Sequence, residues 1–314
     1  KHRYHQPRTL NQAATQGGGT SQYQYLAYGR VTEGLTDQDM ARLLRGIADK
    51  NDGLLVALDV MAMHLHGKPG AGPETTAVAH ELVPEVPLTV RRNHQLDFSL
   101  KSLVEKCMAG PDGEPAARAL LRSLRAGMAD HTLSSYDFED VIGALFSVHP
   151  VAALDELVDP REDDPRGFIR TLTLEGLHGG QHPLANVPLE TLLTWCRGGD
   201  SERWALLADS ISAFAENDDK HVVWTEAALE LIRHSPEQIK VIRALARRIK
   251  PMSWSGSRAA VMSKRLPLFD ALEAFLQGED LAAIRQYRED FERQIERERA
   301  WEKQERTPRD NSFE

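Results

Sequence analysis

Apolar side chains recur at helical spacing along most of this chain from Thr36 onward, and this period constrains the fold more than any other feature. The first stripe consists of Met40, Leu43, Leu44 and Ile47. It follows a Thr36-x-x-Asp39 start that resembles a capping box. Alternating polar and apolar runs, which would indicate strands, are nearly absent. The pattern predicts an all-α protein.

The turns between the predicted helices recur at a roughly constant interval. They are centred near residues 112, 150, 199, 235 and 278, which gives spacings of 38, 49, 36 and 43 residues. These spacings lie around the roughly 40–47 residues of HEAT-type helical pairs. Each hairpin has an apolar face that only a neighbouring hairpin can bury. We therefore predict an α-solenoid or an irregular, HEAT-like stack of helical hairpins.

The predicted organisation has four parts. Residues 1–30, rich in Gln, Tyr and Gly, predict an extended or partly disordered lead-in. Residues 31–66 predict a helical hairpin, and residues 67–95, dense in Pro and Gly at their start, predict an irregular linker and an internal boundary. Residues 96–314 predict a helical-repeat domain that ends in a long charged helix, interrupted by another irregular link over 159–187. Beyond Ile295 we expect that helix to be a solvated tail, with a helix that contacts a partner as the alternative.

Composition indicates the cellular compartment of the protein and excludes several classes of protein. Two cysteines, 89 positions apart, exclude a disulfide framework and a Cys-rich zinc module, so we expect a reducing cytoplasm. Cys107 and Cys196 lie on apolar stripes, which predicts buried structural thiols rather than nucleophiles. No apolar run approaches the roughly 20 residues of a membrane span, so no membrane partner is expected.

Catalytic motifs are absent from the sequence in usable form. We find no nucleophile elbow, no Walker-type phosphate loop and no Gly-x-Gly-x-x-Gly after a strand. His64 and His66 would diverge by roughly 160° on a helix and could not share one metal ion. His178 and His182 have the spacing of a helical zinc pair, but the two glycines between them disfavour a helix. We predict no enzyme activity, no catalytic residue, no metal and no cofactor, with a metal-dependent hydrolase using this pair as a distant alternative.

Positive charge is concentrated in one segment of an acidic chain. The formal net charge is −9, yet residues 233–265 hold nine lysines and arginines against one acid, Glu237. This segment therefore carries +8, and the rest of the chain carries −17. A large local excess of one sign is typical of a surface that meets an anion or an acidic partner.

The basic segment supplies the candidate binding site. On a helix over residues 236–250, four cations fall within an arc of about 80°: Lys240, Arg243, Arg247 and Lys250. We call these four residues the basic stripe. Ser257 predicts the N-cap of the next helix, and Arg258 beside it would add a donor for an anion in that turn.

Two interpretations of these residues stay open. The basic stripe meets water or the acidic surface of a neighbouring domain or subunit, or else it binds a phosphate ligand or nucleic acid. In the same way, Trp254 either stacks on a base or seals the joint between two hairpins.

Several runs resemble one class of bacterial proteins. They are Trp254-Ser-Gly-Ser257-Arg, Arg265-Leu-Pro-Leu-Phe269, the charged helix ending in Asn311-Ser-Phe-Glu314, Leu192-Leu-Thr-Trp-Cys196 and Phe146-Ser-Val-His-Pro150. Together they resemble the C-terminal helical-repeat region of large, mostly uncharacterised bacterial multidomain proteins. Some of those proteins resemble STAND-type signalling or anti-phage defence proteins. The similarity covers about residues 96–314 and contains no catalytic or nucleotide-binding motif.

The resemblance implies a non-catalytic recognition or scaffold module whose effector lies elsewhere. The chain begins at Lys1 without a methionine, which fits a piece of a larger assembly. The expected partner is therefore another protein or the missing domains of the same assembly, in a setting that includes antiviral defence. Binding of nucleic acid or a phosphate ligand through residues 233–265 is the alternative.

Overall fold

The computed structural model describes residues 32, 34–89, 94–159, 183–216, 222–251 and 254–306. These residues are mostly helical, which confirms the predicted helical class. They divide into two compact units, Lys1–Leu172 and Thr173–Glu314. The predicted lead-in over 1–30 and the pair His178 and His182 lie outside the described residues.

The first unit is built from consecutive helices joined by short turns. The helices are α1 (Asp37–Ala48), α2 (Gly53–Leu65), α3 (Pro73–Leu82), α4 (His94–Cys107), α5 (Glu114–Ala129), α6 (Glu139–Val148) and α7 (Pro150–Ala153). Helix α7 continues into a single π-helical turn, Leu154–Val158. Short 3-10 turns occupy Val83–Glu85, Pro111–Gly113 and Ser135–Phe138.

Helix α1 begins where its sequence predicts. The Thr36 hydroxyl accepts a hydrogen bond of 3.2 Å from the Asp39 N–H and donates one of 2.6 Å to the Asp39 carboxylate. This cap satisfies one of the N–H groups that the first turn leaves without a helical partner. Met40, Leu44 and Ile47 are buried on the face that follows. The capping prediction is confirmed.

Helix α3 lies inside the segment 67–95, for which the sequence predicted an irregular linker. Its cap comes from Asp37, whose carboxylate accepts hydrogen bonds from Glu74 N–H (2.7 Å), Thr75 N–H (3.1 Å) and the Thr75 hydroxyl (2.6 Å). A Cβ on Gly72 would meet this carboxylate at 2.3 Å, so the close approach requires glycine. The sequence did not predict this helix because the residue that caps it, Asp37, lies far away along the chain.

Helices that are second neighbours along the chain pack together in this unit. Helix α1 contacts α3, α2 contacts α4, and α4 contacts α6. Polar contacts repeat the same offset: Ser99 donates to Asp59, 40 residues away (2.9 Å), and Lys101 donates to Asp140, 39 residues away (3.1 Å). An offset of about 40 residues corresponds to one helical pair.

The boundary between the two units lies at 172/173 rather than within 67–95.

A buried carboxylate joins α4 to α6. Asp97 is 5 % exposed and accepts hydrogen bonds from Val141 N–H (2.8 Å) and Asp140 N–H (3.2 Å), at the start of α6. Burial raises the pKa of Asp97 to about 6, although these two hydrogen bonds work to lower it. Helix α6 therefore takes its N-terminal acceptor from a helix about one hairpin earlier.

The second unit contains the remaining described helices and one small hairpin. The elements are α8 (Leu189–Arg197), α9 (Glu202–Ser210), β1 (Phe214–Glu216), β2 (Val222–Trp224), α10 (Glu226–His234), α11 (Gln238–Arg248), α12 (Arg258–Lys264), α13 (Pro267–Glu273) and α14 (Gly278–Arg306). A 3-10 turn at Pro183–Asn186 precedes α8. Second neighbours again pack together, since α9 contacts α11 and α12 contacts α14.

The β1–β2 hairpin is a departure from the all-helical expectation. The strands are antiparallel, with Phe214 opposite Trp224 and their rings 5.1 Å apart. The Trp224 indole N–H donates to the Leu268 carbonyl at 2.8 Å, which ties the hairpin to α13. Three-residue strands are too short for alternation to be visible in the sequence.

Both cysteines are buried within helical faces. Cys107 is 3 % exposed and Cys196 is fully buried, and both are free thiols. Burial raises the pKa of each thiol to about 12, which suppresses the nucleophilic thiolate at neutral pH. The prediction of structural thiols is confirmed.

Candidate functional site

Three of the four residues of the basic stripe lie on α11, which spans Gln238–Arg248 rather than the predicted 236–250, and Lys250 follows its end. The Ser235 hydroxyl accepts a hydrogen bond from Glu237 N–H (3.2 Å), which closes a turn before the helix begins. Ile242 and Leu245 are buried on the opposite side of α11 from the cations. Helical spacing therefore orients the basic stripe as the sequence predicts.

Lys240 is held between two carboxylates. Its Nζ lies 2.9 Å from Glu202 Oε1 and 3.0 Å from Glu237 Oε2. Hydrogen bonds to Glu202 and then to Glu237 raise the pKa of Lys240 above its ordinary value. Glu202 begins α9, so this contact joins α11 to its second neighbour.

Two arginines of the basic stripe also contact acids of the second unit. Arg247 lies 3.1 Å from Asp209 on α9, and Arg243 lies 3.9 Å from Asp280 on α14. Their side chains are 64 % and 59 % exposed, so these ion pairs are screened by water. Lys250 is exposed beyond the end of α11. Three of the four stripe residues thus face acidic side chains of their own unit, whereas the sequence interpretation placed such acids on a neighbouring domain or subunit.

Two other arginines of the basic segment donate hydrogen bonds to main-chain carbonyls. Arg248 donates to the carbonyls of Ala208 (2.9 Å) and Ile211 (2.6 Å), at the end of α9. Arg265 donates to the carbonyls of Arg248 (3.3 Å) and Ile249 (3.2 Å). These arginines close helix ends, where carbonyl groups lack helical partners.

The turn before α12 is closed by a carboxylate of the same chain. The Ser257 hydroxyl accepts a hydrogen bond from Ala260 N–H (3.0 Å), which confirms the predicted N-cap. The same hydroxyl donates to Glu302 Oε2 at 2.6 Å, and Ala259 N–H donates to Glu302 Oε1 at 3.1 Å. Glu302 therefore lies where the sequence led us to expect a bound anion.

Arg258 joins this turn to α14. Its guanidinium lies 4.3 Å above the ring of Trp254 and 2.8 Å from Glu298 Oε1. Stacking on an indole and pairing with a carboxylate together fix a guanidinium in one plane. Arg258 is thus oriented by its own unit.

A groove lies between this turn and α14, with a volume of about 810 Å³. It is lined by Trp254, Gly256, Ser257, Arg258, Arg297, Glu298, Trp301 and Glu302, and we call it the tryptophan groove. Trp254 is 46 % exposed and Trp301 is 55 % exposed. Gly256 has φ +76°, a left-handed conformation that glycine adopts without strain, and it turns the chain into α12. A second, smaller hollow of about 480 Å³ adjoins the groove at Arg297.

The wall of this groove comes from the part of α14 that we expected to be a solvated tail. Ile284, Phe291 and Ile295 are buried, and the same side of the helix continues with Glu298 and Glu302. These glutamates contact Arg258 and Ser257, so the expectation is wrong for this part of the helix. The spacing 291, 295, 298 and 302 carried the signal, but a stripe defined by apolar residues alone does not include it.

Of the predicted site residues, the structure brings Trp254, Ser257 and Arg258 together in the tryptophan groove. The basic stripe lies elsewhere on the second unit, against α9 and α14. Sequence reasoning missed the α14 side of the groove, which is Arg297, Glu298, Trp301 and Glu302.

Within the described ranges, no group of three or more His, Cys, Asp or Glu side chains is arranged to hold a metal ion. In the same part of the chain, no helix combines the length and apolarity needed to cross a membrane. Comparison of the chain with protein-family models, with curated proteins and with solved structures gave no match.

Proposed function

We propose that the chain is a non-catalytic, HEAT-like helical-repeat module that binds a protein partner as part of a larger bacterial assembly. The observation that carries this proposal is the tryptophan groove, in which two indoles are about half exposed beside arginines. Tryptophan and arginine are the residues that most often dominate the energy of protein interfaces. Burial of the apolar surface of the two indoles against a partner would stabilise the complex, by roughly 25 cal/mol per Å² of apolar surface removed from water.

The packing of the helices supports the repeat part of the proposal. Second-neighbour helices contact one another within each unit, at sequence offsets near the 40 residues of a helical pair. In a stack of this kind each pair adds a similar surface, which suits an extended binding face. The resemblance to bacterial multidomain proteins suggests a setting that includes anti-phage defence.

The alternative is binding of nucleic acid or a phosphate ligand through residues 233–265. Lys240, Arg243 and Arg247 would have to exchange carboxylate partners for phosphates, which lowers the gain from each contact. A protein that neutralises several phosphates binds more weakly as salt rises, by about 0.9 log unit per contact per tenfold salt on duplex DNA. The paired cations make this the weaker of the two proposals.

Site-specific photo-crosslinking tests the protein-binding proposal. A benzoylphenylalanine at Ala300, which is exposed beside the groove, should crosslink one discrete protein in lysate of the native host. The matched control is the same residue at Ala283, also exposed on α14 but about 25 Å away along the helix. Equal crosslinking at both positions would contradict a specific partner at the groove.

A binding assay with fluorescent single- and double-stranded DNA and RNA tests the alternative. We expect that the protein does not bind these nucleic acids through the basic stripe in a salt-sensitive way. Salt-sensitive binding that the Arg243→Glu/Arg247→Glu variant loses would instead assign the protein to the nucleic-acid class.

A further inference from the structure

The hydrogen-bonding groups of the tryptophan groove are unequally satisfied. Both carboxylates are engaged, because Glu298 accepts from Arg258 (2.8 Å) while Glu302 accepts from Ser257 (2.6 Å) and from the main chain of α12. Arg297, by contrast, is exposed and has no ion pair or hydrogen bond to any residue that the structure describes. The groove therefore has a positive donor without a partner among the described residues, whereas both of its carboxylates already accept hydrogen bonds from the chain.

Arg297 also occupies a defined position. It lines both the tryptophan groove and the adjoining hollow, whose other walls are Arg293, Glu296 and Ala300. One turn further along α14, Trp301 presents an indole that is 55 % exposed. A ligand that contacts this indole thus comes within reach of the Arg297 guanidinium.

We propose that the tryptophan groove binds a short protein segment in which an apolar or aromatic side chain adjoins an aspartate or glutamate. The apolar side chain packs against Trp254 and Trp301, and the carboxylate accepts hydrogen bonds from Arg297. A guanidinium and a carboxylate form paired, charge-assisted hydrogen bonds, and a half-exposed indole gains most from apolar contact. The inference rests on the proposed function, since it names the chemistry of the partner.

Charge favours a peptide over nucleic acid at this place. Nucleic-acid sites neutralise several phosphates at once. Here one guanidinium, Arg297, is unpaired among the described residues, and it lies between Glu296 and Glu298 in the sequence. A chain of phosphates would therefore meet a single unpaired guanidinium here, whereas one carboxylate flanked by apolar groups needs only one cation.

Selection from a random heptapeptide phage library on the full chain tests the proposal, because such a library samples many combinations of acidic and apolar side chains. We expect enriched sequences that place Asp or Glu beside Phe, Leu or Trp. Synthetic copies of these peptides should bind the Trp301→Ala variant at least tenfold more weakly. The matched control is Phe98→Ala, which removes another exposed aromatic side chain, in the first unit. It should leave the affinity unchanged.

A double-mutant cycle isolates the ion pair. Replacing the acidic residue of the peptide with its amide should reduce the affinity of the wild-type chain about tenfold, but should change little in the Arg297→Gln variant. Lys250→Gln, which removes an exposed cation outside the groove, should behave like the wild-type chain. Thermal unfolding of each variant shows that the chain remains folded.

The outcomes separate this inference from the proposed function. Enriched peptides that are apolar and neutral, or basic, would overturn the acidic ligand while leaving the groove as a protein-binding site. Peptides that bind equally to Trp301→Ala, or no enrichment at all, would overturn the groove as the binding site. A discrete crosslink from Ala283 but not from Ala300 would then show that the chain binds protein elsewhere. Oligothymidylate binding that Trp301→Ala abolishes would assign the groove to nucleic acid and overturn the proposal.

Discussion

The Ser257 hydroxyl donates a hydrogen bond of 2.6 Å to Glu302 across 45 positions of sequence. Because Ala259 N–H donates to the same carboxylate, Glu302 closes the start of α12 from the far end of α14. One wall of the tryptophan groove is thereby fixed to the other.

Glu302→Ala should reduce the free energy of unfolding by about 1–3 kcal/mol, since it removes charge-assisted hydrogen bonds and leaves Ala259 N–H without its acceptor. The measurement is urea unfolding of the wild-type and variant chains. Glu296→Ala is the matched control, because Glu296 is exposed on the same helix. Equal effects of the two substitutions would show that the Glu302 contacts add no stability.

Asp97 should make stability depend on pH. Its pKa is about 6 in the folded chain against an ordinary value of 3.8, so the folded chain binds more protons between these values. The contribution of protonated Asp97 to the free energy of unfolding is therefore fully present below pH 3.8 and is lost as the pH rises through about 6. Relative to Asp97→Asn, the wild-type chain should lose on the order of 1 kcal/mol per pH unit in this window.

Chemical unfolding at several pH values between 3.5 and 7, about the span of the two pKa values, measures this difference. Asp112→Asn is the control, since that carboxylate is exposed in the turn before α5. If the free energy of unfolding depends on pH in the same way for the wild type and Asp97→Asn, the two N–H donors keep Asp97 ionised across this pH range.

The basic stripe should contribute little to stability. Arg243→Ala and Arg247→Ala each remove an ion pair that is largely exposed, so each should change the free energy of unfolding by less than about 1 kcal/mol. Arg248→Ala should cost more, about 1–3 kcal/mol, because two partly buried carbonyls lose their donor. Thermal and urea unfolding compare the three variants. A larger loss from Arg247→Ala than from Arg248→Ala would contradict this ranking.

Both cysteines should be unreactive in the folded chain. Cys107 and Cys196 are buried with pKa values of about 12, so Ellman's reagent should label neither at pH 8 until denaturant is added. An Ala300→Cys variant supplies an exposed thiol that should react at once. Rapid labelling of the native wild-type chain would indicate local opening of α4 or α8.

Local patterns predicted much of the helical structure. The stripe of α1 and its Thr36 cap, the Ser257 cap and the burial of Cys107 and Cys196 all follow from residues within one or two turns of each other. Helix α3 and the β1–β2 hairpin did not follow. The first is capped by Asp37 from a distant position, and the strands are too short to show a period.

The sequence by itself determined the helical class, several helix starts and the orientation of the basic stripe on one face of α11, because these depend on spacing along a helix. Only the tertiary structure decided what those faces meet. Glu202, Asp209 and Asp280 reach the stripe through helix packing. The same packing brings Trp254 and Trp301 to one groove. Such contacts join residues about 40 positions apart, and their partners depend on how successive helices register against one another, which no local period encodes.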